Sequence, residues 1–438
     1  MRVLGIGDYG DLGDMYLRLA TAGHDVRMHI ADADYQSVFA GMVDHCPEWG
    51  QGLEWIRDAG PDGVIIFETA RHGVLQDELR AGGFNVIGGC ALGDRLEGDR
   101  SFGQEVMRLA GMRTAPVHHF HDFAVAIDFI AKHPRRYVYK PNGHHLPSTH
   151  SFVGRLDDGT DVRALLGCHQ RLCRTGEIPD FILMDHVSGV ETGVGAYFDG
   201  RRFILPACLD WEHKRFFPGE LGELTGEMGT LVTYQGAERL FAETLAPLAS
   251  MLASAGYRGY LNLNTIINAE GVWPLEFTCR FGYPGFAILS ALQSSGWDEV
   301  LAALLGRAEG FGTIPGYALG AVLTVPPFPY MDAERSLARG LPITFLETLS
   351  EAERQQVHYG EVASEDGGLV TAGASGYTLV ATGVGATVRA AQQAAYGLLE
   401  RIVVPNGRYR RDIGERFLAG EGRRLAQLGY LPASLPIA

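Results

Sequence analysis

Arg2-Val-Leu-Gly-Ile-Gly7-Asp-Tyr-Gly10-Asp-Leu-Gly13 joins a short apolar run to a glycine-rich turn, and Leu17, Leu19 and Ala22 follow at helical spacing. Further apolar runs at Asp25–His29, Gly63–Phe67 and Asn85–Ile87 alternate with helical patterns around Tyr35–Val43 and over Val74–Ala81. Strands alternating with helices predict an α/β fold that opens with a doubly wound parallel sheet. The turn matches GxGxxG through Gly5, Gly7 and Gly10, and Asp32 and Asp34 stand after the second strand, where a ribose-binding acid would sit. Glycine-rich first turns are common in such sheets, so a tight turn without a dinucleotide is the plainer reading.

From Leu96 the character changes. Ser101–Ala110 has an amphipathic helical pattern, and Tyr137–Lys140 is a strand running into Pro-Asn-Gly143. Phe181–Asp185 is a strand expected to pair with Glu191–Tyr197, and Asp199-Gly200 marks a hairpin turn. Asp210–Thr230 is polar and glycine-rich and shows no secondary-structure period. A helix over Gly236–Ala255 precedes strands at Gly259–Ile267 and Val272–Phe277. The last hundred residues hold strands at Gly320–Val325, Gly368–Ala372 and Tyr377–Thr382, and end in helices at Ala386–Ile402 and Asp412–Leu418. Three domains are expected: an α/β domain over 1–95, a mixed α+β domain over 96–310, and a small β-rich domain over 311–438.

Composition narrows the function classes. The 438 residues are 46% hydrophobic and 20% charged, ordinary for a globular chain. A net charge of −15 disfavours non-specific binding to nucleic acid or an anionic membrane. The six cysteines (Cys46, Cys90, Cys168, Cys173, Cys208, Cys279) form no CxxC pattern and read as reduced thiols. No apolar stretch reaches ~18 residues, and Met1–Gly7 opens as a strand rather than in the layout of a secretory signal. The expectation is a cytoplasmic protein with small-molecule partners.

Three polar groups could carry chemistry. Asn262 and Asn264 share one face of a strand, as do Glu276, Thr278 and Arg280 on the next, because side chains alternate with period two. Side by side, such strands gather oxygen ligands suited to Mg²⁺ (or Mn²⁺) and a guanidinium able to bind a carboxylate. Lys140 ends an apolar strand beside a turn, where its ammonium could hold phosphates as a point charge. Glu212-His-Lys-Arg215 and Thr225-Gly-Glu-Met-Gly229 set cations beside a glycine loop, a sensible anion cradle. Each has a plain alternative in a solvated polar surface. His144, His145 and His150 lack a carboxylate or cysteine at ligand spacing, which argues against a metal there.

Their order along the chain is more specific. Glu97-Gly-Asp-Arg100-Ser-Phe102, Tyr137-Val-Tyr-Lys140, Asp185-His-Val-Ser-Gly189-Val-Glu191 and Trp211-Glu-His213-Lys214-Arg215 are followed by Gly222-Glu-Leu-Thr225-Gly226-Glu-Met228-Gly229. Leu275-Glu276-Phe-Thr278-Cys-Arg280-Phe-Gly282 and Tyr409-Arg-Arg-Asp412-Ile-Gly414 come next. In this order they resemble the EGSKxF, VVKADG, EEFLxGEE, QDHKR, GPNTGGMG, LEFNxRFGDPE and YRxDIG segments of the phosphoribosylamine–glycine ligase family of the ATP-grasp superfamily. The resemblance implies an N-terminal pre-ATP-grasp domain, an ATP-grasp domain and a β-rich C-terminal domain. It implies a carboxylate–amine ligase that passes through an acyl phosphate. Arg100, Lys140 and Lys214 would contact nucleotide phosphates, Met184, Asp185 and Val187 would face adenine, and Glu191 would hold ribose. Glu276, Asn264 and Thr278 would ligate the metal. Arg280 and Lys214 would serve catalysis, with Asn262, Thr225, Gly226 and Arg280 at the substrates. ATP and Mg²⁺ are the implied cofactors, and a monomer or homodimer the implied assembly.

Four departures fall in these segments. Arg100 replaces a lysine, Thr278 replaces the metal-binding asparagine, and the loop after Lys140 has lost glycines. Tyr283-Pro-Gly285 replaces Asp-Pro-Glu, and the first-turn glycine loop is altered as well. They predict a ligase for an amino-acid-like carboxylate and an unidentified, nucleotide-like amine. The alternatives are the purine-pathway ligase itself, or a nucleotide-binding relative with impaired turnover.

Overall fold

The computed structural model describes residues 1–141, 151–172, 179–330 and 335–437. The opening strand, Arg2–Gly7, is the middle of a five-stranded sheet whose order runs Asp44–His45, Asp25–Ile30, Arg2–Gly7, Gly63–Phe67, Asn85–Ile87, every pair parallel. Val3 through Gly7 and all of Gly63–Phe67 are buried, as strands covered by helices on both faces must be. The helix expected over Tyr35–Val43 is absent; one 3-10 turn, Ala33–Tyr35, is followed by irregular chain. Tertiary pairing decides this: Phe39 N–H donates to Val362 O (2.7 Å) and Ser364 N–H to Ala40 O (2.9 Å).

An eight-stranded antiparallel sheet forms the centre. Its order is Gly271–Thr278, Gly259–Asn268, Val190–Phe198, Phe203–Glu212, Gly229–Thr233, Tyr317–Thr324, Tyr377–Gly385, Val357–Tyr359. Strands from both sides of residue 310 therefore hydrogen-bond in one sheet. A separate four-stranded sheet holds Val117–Phe120, Phe181–Asp185, Tyr137–Pro141 and Phe152–Val153 over its own small aromatic core. Phe181–Asp185 thus pairs with Val117–Phe120 and Tyr137–Pro141, and not with the strand that follows it. The chain after Asp185 crosses from one sheet to the other, which opens a cleft between them.

Asp210–Thr230 is more regular than its composition suggests. The strand Phe203–Glu212 runs to Glu212, and the hairpin Arg215–Phe217 with Leu221–Leu224 leads to the strand Gly229–Thr233. Asp210, Glu212 and Thr230 face the cleft, so no apolar period marks the ends of these strands. The helix expected over 236–255 is broken into Glu238–Glu243, Ala246–Leu248 and Ala249–Ser254, with Pro247 starting the middle piece. At the C-terminus Val388–Leu399 is the long helix, and the last helical segments lie at Phe417–Glu421 and Gly422–Gln427, later than expected.

A buried polar knot ties the N-terminal sheet to the C-terminal strands. Asp14, in the helix Gly13–Thr21, accepts from Arg18 Nε (2.7 Å) and Tyr359 N–H (3.2 Å), and lies 3.0 Å from His358 Nδ1. Burial works against its charge, but Arg18 and His358 outweigh it and bring the carboxyl down to about 2. Asp14→Ala strips Arg18 Nε and the Tyr359 N–H of their acceptor, while Arg18 keeps Gln355 and Val357, and a cost of about 1–3 kcal/mol is expected. Because the folded value lies below the unfolded one (~3.9), the carboxylate stabilises above about pH 4 and loses its contribution as pH falls towards 2. Thermal unfolding should show a large gap between wild type and variant at pH 7 that closes on acidification. A gap unchanged down to pH 2.5 would count against the knot.

Candidate active site

The cleft face of the central sheet collects its functional groups by register. Asn264 stands opposite Glu276 and Asn262 opposite Thr278. Gly193 lies between Asn264 and Asp210, Gly195 lies opposite Asn262, and Glu212 stands opposite Thr230. A Cβ on Gly193 would run into the Asp210 carboxylate, and one on Gly195 into the Tyr260 hydroxyl. The bare central strand therefore lets side chains meet over it. Asn262 Nδ2 donates to Asp210 Oδ2 (2.6 Å) and Asn264 Nδ2 to Glu212 Oε2 (3.0 Å).

Over this face lies a cavity of about 640 Å³ that reaches across to the smaller sheet. Arg100, Lys140, Met184, Asp185, Val187, Glu191, Lys214, Thr225, Gly226, Asn262, Asn264, Glu276, Thr278 and Arg280 all line it. Glu276 is the electrostatic hub: Arg100 Nη1 lies 3.4 Å and Lys140 Nζ 3.5 Å from Oε2, and Lys214 Nζ 3.4 Å from Oε1. Lys140 above all, then Lys214 and Arg100, hold the Glu276 carboxyl well below the usual range despite burial. Lys214 also reaches Glu212 (3.0 Å) and Glu191 (3.3 Å). Burial opposes its charge, but the carboxylates of Glu212, Glu191 and Glu276 prevail and raise its pKa. For Lys140 the balance is reversed: burial, helped by Arg100 and Lys214, lowers it.

Other expected residues play supporting parts. Thr225 donates both its hydroxyl (2.8 Å) and its N–H (2.7 Å) to the Lys214 carbonyl, which fixes the turn beneath that lysine. The Asp185 carboxylate pairs with Arg135 (2.6 Å) and His118 (3.5 Å), leaving Met184 and Val187 as the apolar lining on that wall. Arg280 is pinned by Glu97, 3.0 Å from its Nε, which also accepts the Cys279 N–H (2.8 Å). Arg410 and Asp412 of the Tyr409–Gly414 motif brace the loop after Lys214. Arg410, fully buried, donates to the Arg215 carbonyl (2.8 Å) and to Glu220 (2.8 Å), and Asp412 accepts the Gly219 N–H (2.8 Å).

Sequence reasoning missed Glu97, Asp210, Glu227 and Thr230, all on the cavity wall or against it. The alternation of Asp210 and Glu212 carried a signal, since two acids two apart share a strand face. Glu227 carried another, standing where GPNTGGMG has its penultimate glycine before Met.

The first-turn fingerprint holds no dinucleotide cradle. A Cβ on Gly7 would meet the Glu68 carboxylate, which burial and Asp11 push up to about 8. Asp32 caps Asp34 N–H (2.9 Å), and Asp34 pairs with Arg339 (3.1 Å).

For a hard dication the donors are the right kind. Glu276 supplies a carboxylate, and Asn264, whose amide N–H is taken up by Glu212, keeps its oxygen as the donor. Thr278 adds a hydroxyl. Among the described residues no group of three or more His, Cys, Asp and Glu is arranged to hold a metal. That accords with a cation whose remaining ligands come from phosphates and water. His144, His145 and His150 lie outside the described residues.

Comparison with known proteins points one way. Residues 98–286 match the model of the phosphoribosylglycinamide synthetase ATP-grasp (A) domain, and 331–416 match that of the phosphoribosylglycinamide synthetase C domain. Together these spans take in more than half of the chain. A phosphoribosylamine–glycine ligase of Corynebacterium ammoniagenes is 28% identical over 445 residues, covering 97% of this chain and 99% of that protein. One from Pseudomonas aeruginosa is 29% identical over 376 residues, 83% of each. Among solved structures, the phosphoribosylamine–glycine ligase of Thermotoga maritima has a TM-score of 0.71 at 24% identity, covering 94% of this chain and all of that one. The biotin carboxylase domain of a Hydrogenobacter thermophilus 2-oxoglutarate carboxylase, solved with MgADP and bicarbonate, has a TM-score of 0.65 at 12% identity, covering 93% and 91%.

Proposed function

Since the chain belongs to the phosphoribosylglycinamide synthetase family of ATP-grasp enzymes, ligases that form C–N bonds with release of ADP, we propose that it joins glycine to phosphoribosylamine. The observation that carries this reading is the convergence of Lys140, Lys214 and Arg100 on Glu276 inside one cleft between two sheets. Adenine lies against Met184 and Val187, Glu191 takes the ribose, and the three cations meet the phosphates. Glu276 and Asn264, with Thr278 beside them, would hold Mg²⁺, which would supply charge neutralisation at the phosphates. Arg280, held rigid by Glu97, orients the carboxylate. A carboxylate oxygen attacks the γ-phosphorus and the bond to the ADP oxygen breaks. The amine nitrogen then attacks the acyl carbon, inorganic phosphate leaves, and the nitrogen gives up a proton.

One observation favours a second reading with a different amine: Asp210 and Glu227 on the cavity wall are acidic and would repel the phosphate that phosphoribosylamine carries. ADP and phosphate release, measured with Mg-ATP and panels of carboxylates and amines, separates the two. Release with glycine only when phosphoribosylamine is supplied supports the first. Release with other pairs supports the second, and nucleotide binding without turnover under every pair counts against both. In this proposal the partners are small molecules, with no nucleic acid or membrane, in the cytoplasm, as a monomer or homodimer. No described helix is long and apolar enough to cross a membrane. The partition at 95 and 310 belongs to the same proposal, and limited proteolysis tests it.

A further inference from the structure

Beyond the cations around Glu276 the cavity wall turns acidic. Asp210 is 6% exposed and Glu227 7%, yet Oδ1 of Asp210 and Oε1 of Glu227 have no hydrogen-bond partner among the described residues. Thr230 Oγ1, 1% exposed, and the Tyr283 hydroxyl have none either, and all four residues line the cavity. Buried polar atoms are ordinarily paired, so the two carboxylate oxygens lack donors and the two hydroxyls lack partners of either kind. The nearby donors are already engaged: Asn262 with the other oxygen of Asp210, Lys214 with Glu212, Glu191 and Glu276.

The aromatic surroundings favour a cation too. The rings of Tyr283 and Tyr377 lie 5.0 Å apart, and the Tyr377 hydroxyl donates to the Glu227 carbonyl. Ring faces and carboxylates both attract cations and repel phosphate. An ammonium is the common group that brings three N–H donors, a positive charge and no acceptor. Glu227 also replaces a glycine of the GPNTGGMG pattern, so the feature belongs to this chain rather than to that pattern. Resting on the ligase reading, we propose that Asp210, Glu227 and Thr230 form a pocket for a protonated amino group of the substrate.

The same acids supply a signature. Burial, then Glu212, pushes the Asp210 carboxyl up to about 7, and burial, then Glu212 and Asp210, raises Glu227 as well. The groups facing Asp210 are Cys208, Glu212, Lys214 and Glu227 along its own chain, Glu191 on Val190–Phe198, and Tyr260 and Asn262 on Gly259–Asn268. Lys214 is the cation among them. An ammonium arriving between these carboxyls favours their ionised forms and so releases protons that burial retains there.

Calorimetry on the full chain saturated with ADP provides the test, with glycine and acetate as one pair of probes, and 1,2-diaminoethane and ethylamine as the other. A pocket for the amino-acid ammonium predicts glycine binding at least tenfold tighter than acetate. A pocket for a second ammonium on the acceptor predicts the same preference for the diamine over the monoamine. In either case binding releases about one proton, read from heats in buffers of unequal protonation enthalpy. Glu227→Gly and Asp210→Asn should weaken the preferred probe at least tenfold and leave ADP affinity unchanged. Glu227→Gly restores a residue the fold accommodates, so it remains informative if Asp210→Asn misfolds. The proposal falls if neither preference appears, or if Glu227→Gly binds the preferred probe as tightly as wild type with no change in proton release. ADP release by the wild type is measured alongside. If it fails with every pair while probe binding and proton release persist, the ligase reading falls and the pocket stands.

Discussion

Glu276→Ala is expected to lower ATP-dependent turnover by about 10³-fold, equivalent to about 4 kcal/mol of transition-state stabilisation. The side chain meets Lys140, Lys214 and Arg100 at 3.4–3.5 Å and is the one charged donor expected for the dication. Its carboxyl lies well below the ordinary range because Lys140, Lys214 and Arg100 surround it, so it is ionised at neutral pH. Alanine removes the ligand and leaves three cations facing one another. Lys140 and Arg100 then lose their carboxylate partner and can turn to phosphate oxygens, so metal-free affinity for ADP should hold or rise while the gain conferred by Mg²⁺ shrinks. Glu276→Gln keeps the shape without the charge and should behave like alanine. Calorimetric titrations with and without Mg²⁺, beside single-turnover ADP formation, read both quantities. A variant within threefold of the wild-type rate would remove Glu276 from the metal site.

The N-terminal sheet was legible because its strands are buried on both faces and read as unbroken apolar runs. The strands Gly259–Asn268 and Gly271–Thr278 were legible because their polar residues alternate, which foretold that Asn262, Asn264, Glu276 and Thr278 share a face. Where the ligand face itself is polar, the period vanishes, and Asp210–Thr230 read as loop although it holds two strands of the central sheet and a hairpin. The segment around Tyr35–Val43 failed for another reason. Two of its backbone bonds, at Phe39 and Ala40, go to residues more than three hundred positions away, which no local pattern announces. Arg280 was found through its motif, but Glu97, which orients it, was not, since the pairing exists only after folding. Gly193 and Gly195 passed without notice for the same reason. Their meaning lies in Asp210 and Tyr260 on the neighbouring strands, into which a Cβ would run.

Lys214→Met should cost about as much as the loss of Glu276, roughly 10³-fold in kcat/KM for ATP, but with the opposite effect on nucleotide binding. Lys214 Nζ lies 3.0 Å from Glu212, 3.3 Å from Glu191 and 3.4 Å from Glu276. Without it three carboxylates face the incoming phosphates, so metal-free ADP binding should weaken where Glu276→Ala preserves it. Lys214 also lowers the pKa of Asp210 and of Glu227, against burial that raises both. Its removal lets both rise further. Any step that needs them ionised is fully supported only above their pKa and is lost as pH falls through it. The acidic limb of the residual pH–rate profile should therefore move to higher pH in Lys214→Met. Lys214→Arg keeps the charge on a planar head that cannot meet three carboxylates as a compact ammonium does. It should restore ADP binding and the acidic limb towards wild type while recovering the rate only in part. A Lys214→Met protein with wild-type ADP affinity and an unmoved acidic limb would show that the three carboxylates do not depend on this lysine.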